Sequence, residues 1–216
     1  EQTANLISDL FCERLKKSYN FSPMTDIQVL CPTRKGRCGT VSLNNLIQAR
    51  LNPDDGVKPS LTIKGFTLRA GDKVMQVKNN YDVEWLADNG KEGQGVFNGD
   101  IGVLESVDVR NRSIRIRFDN KVATYIGEQL EDVELAYAVT VHKSQGSEFD
   151  CVILALCNTP YPLCYRNLLY TAVTRAKKLL VTVGSPAEMK SMVDNNKRTR
   201  RYTAFARFLK EAVKRC

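Results

Sequence analysis

The sequence predicts an α/β fold: a parallel-sheet domain interrupted by a small antiparallel β-barrel. Two observations carry this. At both ends of the chain, apolar strands alternate with helical patterns, as in a parallel sheet. From about residue 60 the texture changes to short alternating runs joined by tight turns, and near residue 135 it changes back. The expected division is 1–58 and 134–216 for the α/β domain and 59–133 for the insert. Barrel ends lie close together, so such an insertion is physically reasonable.

The elements follow in order. Leu6, Ile7, Leu10, Phe11 and Leu15 fall at helical spacing within 4–18. Phe21-Ser22-Pro23 breaks that helix, and Ile27–Cys31 reads as a short buried strand. After a loop with Pro32, Gly36 and Gly39, Ser42 is the expected N-cap of a helix through Arg50, which Asn52-Pro53 ends. Strands are expected at Thr62–Phe66, Lys73–Lys78, Ile101–Val109, Ser113–Phe118 and Val122–Ile126. Leu86–Gly95 is polar and Gly-rich, and reads as a long exposed loop. Leu135–Val141, Val152–Leu156 and Leu179–Val183 are strands, with a helix over Leu163–Ala176. Ser185-Pro186-Ala187-Glu188 is a capping box with Pro at the first helical position. A basic helix is expected from about Arg201 to Lys214.

Of the 216 residues, 43% are hydrophobic, enough for a sizeable core. No run of 18 apolar residues or signal-peptide pattern occurs, so a cytoplasmic protein with no membrane partner is expected. The first residue is Glu1 rather than Met, so an upstream segment is expected. Seven cysteines include no C-x-x-C pair. Cys151, Cys157 and Cys164 with His142 form a conceivable metal set, but small core residues in a reducing compartment are the simpler reading.

Charge is unevenly spread. Residues 1–135 hold 18 Lys and Arg against 19 Asp and Glu, whereas residues 136–216 hold 14 against 5. The excess points to a polyanion partner, nucleic acid before nucleotide.

Three segments carry candidate chemistry. In Thr140-Val141-His142-Lys143-Ser144-Gln145-Gly146-Ser147-Glu148-Phe149, hydroxyls, an imidazole and an ammonium surround a glycine after a strand. Such a loop suits phosphate oxygens, and Glu148 suits a ribose hydroxyl. Tyr170-Thr171-Ala172-Val173-Thr174-Arg175-Ala176 places Arg175 near a helix end, as an arginine finger or as a cation that settles the helix terminus. Pro32-Thr33-Arg34-Lys35-Gly36-Arg37-Cys38-Gly39 is a basic Gly-containing loop after a strand, a phosphate contact or a solvated turn.

In this order the three segments resemble motifs V, VI and IV of superfamily 1 helicases, most nearly the RecD/TraA group, the type of the exodeoxyribonuclease V alpha subunit. Leu43-Asn44, Gln48 and Leu51-Asn52-Pro53 continue the motif IV likeness, and Phe97-Asn98-Gly99-Asp100-Ile101-Gly102 is similar to that group's inserted barrel. The resemblance spans nearly the whole chain. It implies a RecA-like (P-loop NTPase-type) motor domain, 2A, carrying an SH3-like 2B domain. It further implies Arg175 at the γ-phosphate of ATP, with Gly146, Glu148, Arg34 and Lys35 toward the nucleotide. Thr140, His142, Lys143 and Ser144 would face single-stranded DNA.

No G-x-x-x-x-G-K-[ST] loop and no apolar strand ending in Asp-Glu occur here. ATP and Mg²⁺ are therefore expected to bind only together with an N-terminal motor domain of the same protein, and the chain alone is expected to be inactive. Nuclease-complex subunits are a further partner the resemblance allows, in recombination, repair or conjugation. The rival is a nucleic-acid-binding adaptor with an SH3-like module and no motor. A hydrolase finds only one histidine, His142, and no nucleophile elbow.

Overall fold

A computed structural model describes residues 2–196 together with Ala204, Phe205, Phe208, Ala212 and Val213. Most of the basic helix expected from Arg201 to Lys214 lies outside the described residues.

Four parallel strands form the first sheet: β1 (Ile27–Cys31), β11 (Ala138–Thr140), β12 (Phe149–Leu156) and β13 (Ala176–Gly184), in the order β11-β1-β12-β13. The central strand β12 is buried on both faces. Cys151, Ile153 and Ala155 join one core, and Val152, Leu154 and Leu156 join the other. This is the period of two that a strand imposes, read in a continuous apolar run. On the first face lie α1 (Gln2–Asp9), α2 (Leu15–Tyr19), the single π-turn Leu10–Arg14 joining them, and α3 (Thr40–Leu51). On the second lie α4 (Arg166–Val173) and α5 (Pro186–Asp194).

The insert begins with a hairpin, β2 (Ser60–Ile63) and β3 (Phe66–Arg69). Seven antiparallel strands follow: β4 (Lys73–Gln76), β5 (Asn80–Ala87), β6 (Glu92–Val96), β7 (Ile101–Asp108), β8 (Ser113–Phe118), β9 (Lys121–Ile126) and β10 (Val133–Leu135), paired in the order β10-β4-β7-β8-β9-β5-β6. No pairing among the described residues joins β10 to β6. The sheet nevertheless wraps round on itself. Two strands lie between β4 and β9, which in a flat sheet would set these roughly 14 Å apart. Yet the Tyr125 hydroxyl on β9 donates to Gln76 Oε1 on β4 at 2.9 Å.

Several sequence expectations need correction. Leu86–Gly95 is no loop: it is the end of β5, a tight turn and most of β6. Gly93 in this stretch has a packing reason. Trp85 pairs with Gly93 across the strands, and a Cβ on Gly93 would run into the indole ring. The expected strand Thr62–Phe66 straddles a turn at Lys64-Gly65, where both residues have positive φ. Ser42 is not an N-cap. The helix starts at Thr40 after Gly39, where a Cβ would collide with the carbonyls of Arg34 and Lys35, and the Ser42 hydroxyl donates back to Gly36. Ser185 makes no capping bond; the Glu188 carboxylate instead accepts from the Asn158 and Thr159 amides. The run Leu135–Val141 divides at Ala136-Tyr137, where the chain leaves the antiparallel sheet for the parallel one. Leu163–Ala176 is helical only over Arg166–Val173, with Ala176 opening β13.

The two sheets share one core, and a buried polar knot joins them. Asp72, in the turn before β4, is fully buried. Its carboxylate accepts from Gln48 Nε2 (2.6 Å), Asn52 Nδ2 (2.8 Å), the Arg69 amide (2.7 Å) and the Tyr137 hydroxyl (2.8 Å). Asn44 donates to the Leu135 and Ala138 carbonyls and accepts from the Ala138 amide. Asn44, Gln48 and Asn52 are spaced four apart, so α3 turns a polar stripe inward. A carboxylate so enclosed is stable because each lone pair meets a donor. Beside it, Lys73 is also buried and donates to the Ile27 carbonyl at 2.9 Å; burial pushes its ammonium down to about 7.

Candidate functional site

The connection between β11 and β12 determines where the candidate residues stand. Both strands are parallel to β1, so the chain must travel from the C-terminal edge of the sheet back to its N-terminal edge. Thr140 is level with Cys31, and Cys151 with Ile27. The residues 140 and 149 are thus about six residue steps apart along the strands, roughly 20 Å at the usual rise. One loop therefore has two ends that serve different places.

At the C-terminal edge the loop opens as a single turn. The Thr140 hydroxyl accepts from the Lys143 amide at 3.3 Å, and its carbonyl accepts from the Ser144 amide at 3.2 Å. Holding that turn leaves His142 exposed, its Nε2 3.4 Å from the Tyr165 hydroxyl. Lys143 is half-buried and paired with Glu134 at 3.2 Å. Ser144 is fully buried and its hydroxyl donates to the Val141 carbonyl at 2.8 Å. The expected contact of Ser144 with DNA is therefore corrected: this side chain holds the turn from beneath.

The loop after β1 leaves from the same edge. Arg34 and Lys35 are exposed there, and Arg34 Nη2 reaches Glu134 Oε1 at 3.0 Å. These two residues, expected beside the nucleotide residues, stand instead with Thr140, His142 and Lys143. The reason is topological, because a loop that follows a parallel strand emerges at its C-terminal edge. Glu134 is the residue that sequence reasoning missed. It stands on β10, the edge strand of the antiparallel sheet, and nothing in the apolar run that follows it in sequence marks it for a role.

At the N-terminal edge the loop meets α4. Gly146 has φ +90, a conformation side chains rarely adopt, and open space around it. Arg175 is half-buried. It donates from Nη1 to the Ser147 carbonyl (3.0 Å), from Nε to the Thr171 carbonyl (3.2 Å) and from Nη2 to the Thr174 hydroxyl (3.2 Å). All three acceptors are neutral, and among the described residues no carboxylate pairs with Arg175. Its orientation is fixed while its charge stays uncompensated, the arrangement an incoming anion requires. The Glu148 side chain is exposed one residue beyond Ser147 and has no hydrogen bond or ion pair among the described residues. Gly146, Glu148 and Arg175 therefore share one edge. A triphosphate carries the anionic oxygens that Arg175 would answer, so the residues present fit that group.

Comparison with known proteins gives the class first. Residues 135–183 match the UvrD-like helicase C-terminal domain, and residues 43–118 match the SH3 domain of ATP-dependent RecD-like DNA helicases. The chain therefore carries the C-terminal and SH3 domains of RecD-like DNA helicases. It is 36% identical over 159 residues to the ATP-dependent RecD2 DNA helicase of Deinococcus radiodurans, a match covering 74% of this chain and 20% of that protein. It is 32% identical over 166 residues to the RecBCD enzyme subunit RecD of Mycobacterium tuberculosis, covering 77% of this chain and 26% of the other. The chain thus spans about a fifth to a quarter of these relatives. A Pif1 helicase solved in a study of unwinding at forked double-stranded DNA shares the fold, with a TM-score of 0.50 and 17% identity over 98% of this chain and 48% of that one.

Proposed function

We propose that this chain is the second motor domain, with its SH3-like insert, of an ATP-driven 5′ to 3′ DNA helicase. Residues 1–58 and 134–216 act as the motor domain and 59–133 as the insert. Arg175 contacts the γ-phosphate of ATP held mainly by a first motor domain. Gly146 lets the backbone approach the nucleotide, and Glu148 accepts from it. Thr140, His142 and Lys143 face single-stranded DNA at the opposite edge, joined there by Arg34 and Lys35. ATP with Mg²⁺ supplies the free energy for movement when bound between the two motor domains.

The observation that carries this reading is the single loop from Thr140 to Glu148. It spans the sheet, with cations at one end and the uncompensated Arg175 against the other. A shift at Ser147 on ATP binding or hydrolysis has a covalent route of few residues to His142 and Lys143. Coupling of this kind needs a connected element that both ligands bias.

The test is ATP turnover by the protein carrying both motor domains, with and without single-stranded DNA. Turnover should rise with DNA and lose that stimulation in His142→Ala. Turnover indifferent to DNA, or DNA binding indifferent to ATP, would instead favour an adaptor that binds nucleic acid without a motor. Repair, recombination or conjugation, and a place in a nuclease complex like that of the RecBCD subunit RecD, are settings this activity would suit.

A further inference from the structure

Glu134 stands between two cations from different loops. Its Oε1 accepts from Arg34 Nη2 at 3.0 Å and its Oε2 from Lys143 Nζ at 3.2 Å. The two oxygens of one carboxylate thus occupy the positions that two oxygens of a phosphate would take between the same donors. A small cleft lies here, lined by Arg34, Thr40, Val77, Glu134, Thr140 and Lys143. Burial alone would raise the Glu134 carboxyl, yet the Arg34 hydrogen bond and the Lys143 ammonium hold it below the usual carboxylate value. The anion in this seat is therefore charged, and it belongs to the protein.

Resting on the reading of this edge as the DNA-facing one, we propose that Arg34 and Lys143 form one seat for a backbone phosphate of single-stranded nucleic acid, which Glu134 fills when no strand is bound. The seat draws one donor from the loop after β1 and one from the loop after β11, while its plug comes from β10, the edge strand of the antiparallel sheet. Both cations are partly exposed, with side-chain exposures of 45% and 24%, so a strand can reach them. A phosphate that enters must displace the carboxylate, which then turns toward solvent. Occupancy by Glu134 lowers nonspecific affinity and links grip on DNA to the edge strand of the antiparallel sheet. A nucleotide phosphate is the other source of the same chemistry, but Arg175 and Glu148 stand roughly 20 Å away along the sheet.

Glu134→Gln removes the competing charge while keeping the shape. In the full-length protein, binding of a fluorescent oligo-dT followed by anisotropy across a salt series should tighten by about tenfold at low salt. Its dependence on salt should steepen by roughly 0.7 in the log–log slope, the contribution of one neutralised phosphate on a single strand. Glu134→Asp, which keeps the charge, should bind like the parent and guards against a folding defect in the first variant. Equal or weaker binding by Glu134→Gln, with melting unchanged, overturns the inference. So does a gain confined to ATP affinity, which would give the seat to the nucleotide. If neither parent nor variant binds any oligonucleotide, the DNA-facing reading itself fails, a result distinct from failure of the seat alone.

Discussion

The Arg175 guanidinium donates to the Ser147 carbonyl at 3.0 Å, which ties the end of α4 to the loop that begins at Thr140. That bond goes to a neutral oxygen, whereas Arg34 and Lys143 on the far edge meet a carboxylate. The two edges therefore differ in charge balance as well as in place. One holds a poised cation, and the other holds cations already matched by an internal anion.

The polar knot around Asp72 should be a major source of stability. Asp72→Ala leaves Gln48, Asn52, Tyr137 and the Arg69 amide without their shared acceptor in a buried site. A loss of at least about 3 kcal/mol in urea unfolding is expected, since several buried donors go unpaired together. A change under 1 kcal/mol would show that the joint between the sheets does not depend on this residue.

Lys73 sets a pH dependence of stability. Its folded pKa lies near 7, below the ordinary value of 10.5, so the unfolded chain binds more protons between these limits. The cost of the buried ammonium is therefore full below pH 7 and is relieved as pH rises toward 10.5. Lys73→Met should stabilise the protein at pH 6 by roughly 1–4 kcal/mol, and its advantage should shrink by pH 10. Parallel stability curves for parent and variant from pH 6 to 10 would contradict this.

Gly93 lies beneath the Trp85 indole, over which Lys121 Nζ sits 5.2 Å from the ring centroid. Gly93→Val should displace the ring, shift tryptophan emission and lower stability by about 1–3 kcal/mol. Unchanged emission from the single tryptophan would mean that the ring does not rest on this glycine.

These cases show what the sequence makes legible. The unbroken apolar run Cys151–Leu156 exposes a strand buried on both faces, and strong turns such as Asn98-Gly99 mark the insert. The motif order identifies the family because side chains of Thr140, His142 and Arg175 are distinctive in kind. Position in space is harder to read. Arg34 looks like any phosphate-contacting cation until strand direction assigns it to an edge. Ser144 looks like a surface hydroxyl until its turn buries it. The polar face of α3 is hidden from hydrophobic patterning, because Asn44, Gln48 and Asn52 are buried for their hydrogen bonds. Gly93 reads as a loop residue because the partner that fills the space, Trp85, lies several residues away on the paired strand.

The central claim is that Arg175 is poised for the γ-phosphate while the same loop holds DNA at its other end. Arg175→Ala in the protein carrying both motor domains tests it most directly, with ATP turnover and oligo-dT affinity measured on the same samples. The account predicts turnover reduced by ~10³ or more, the usual effect of removing such a finger, with DNA affinity in the absence of ATP within about threefold of the parent. Near-normal turnover in that variant would contradict it.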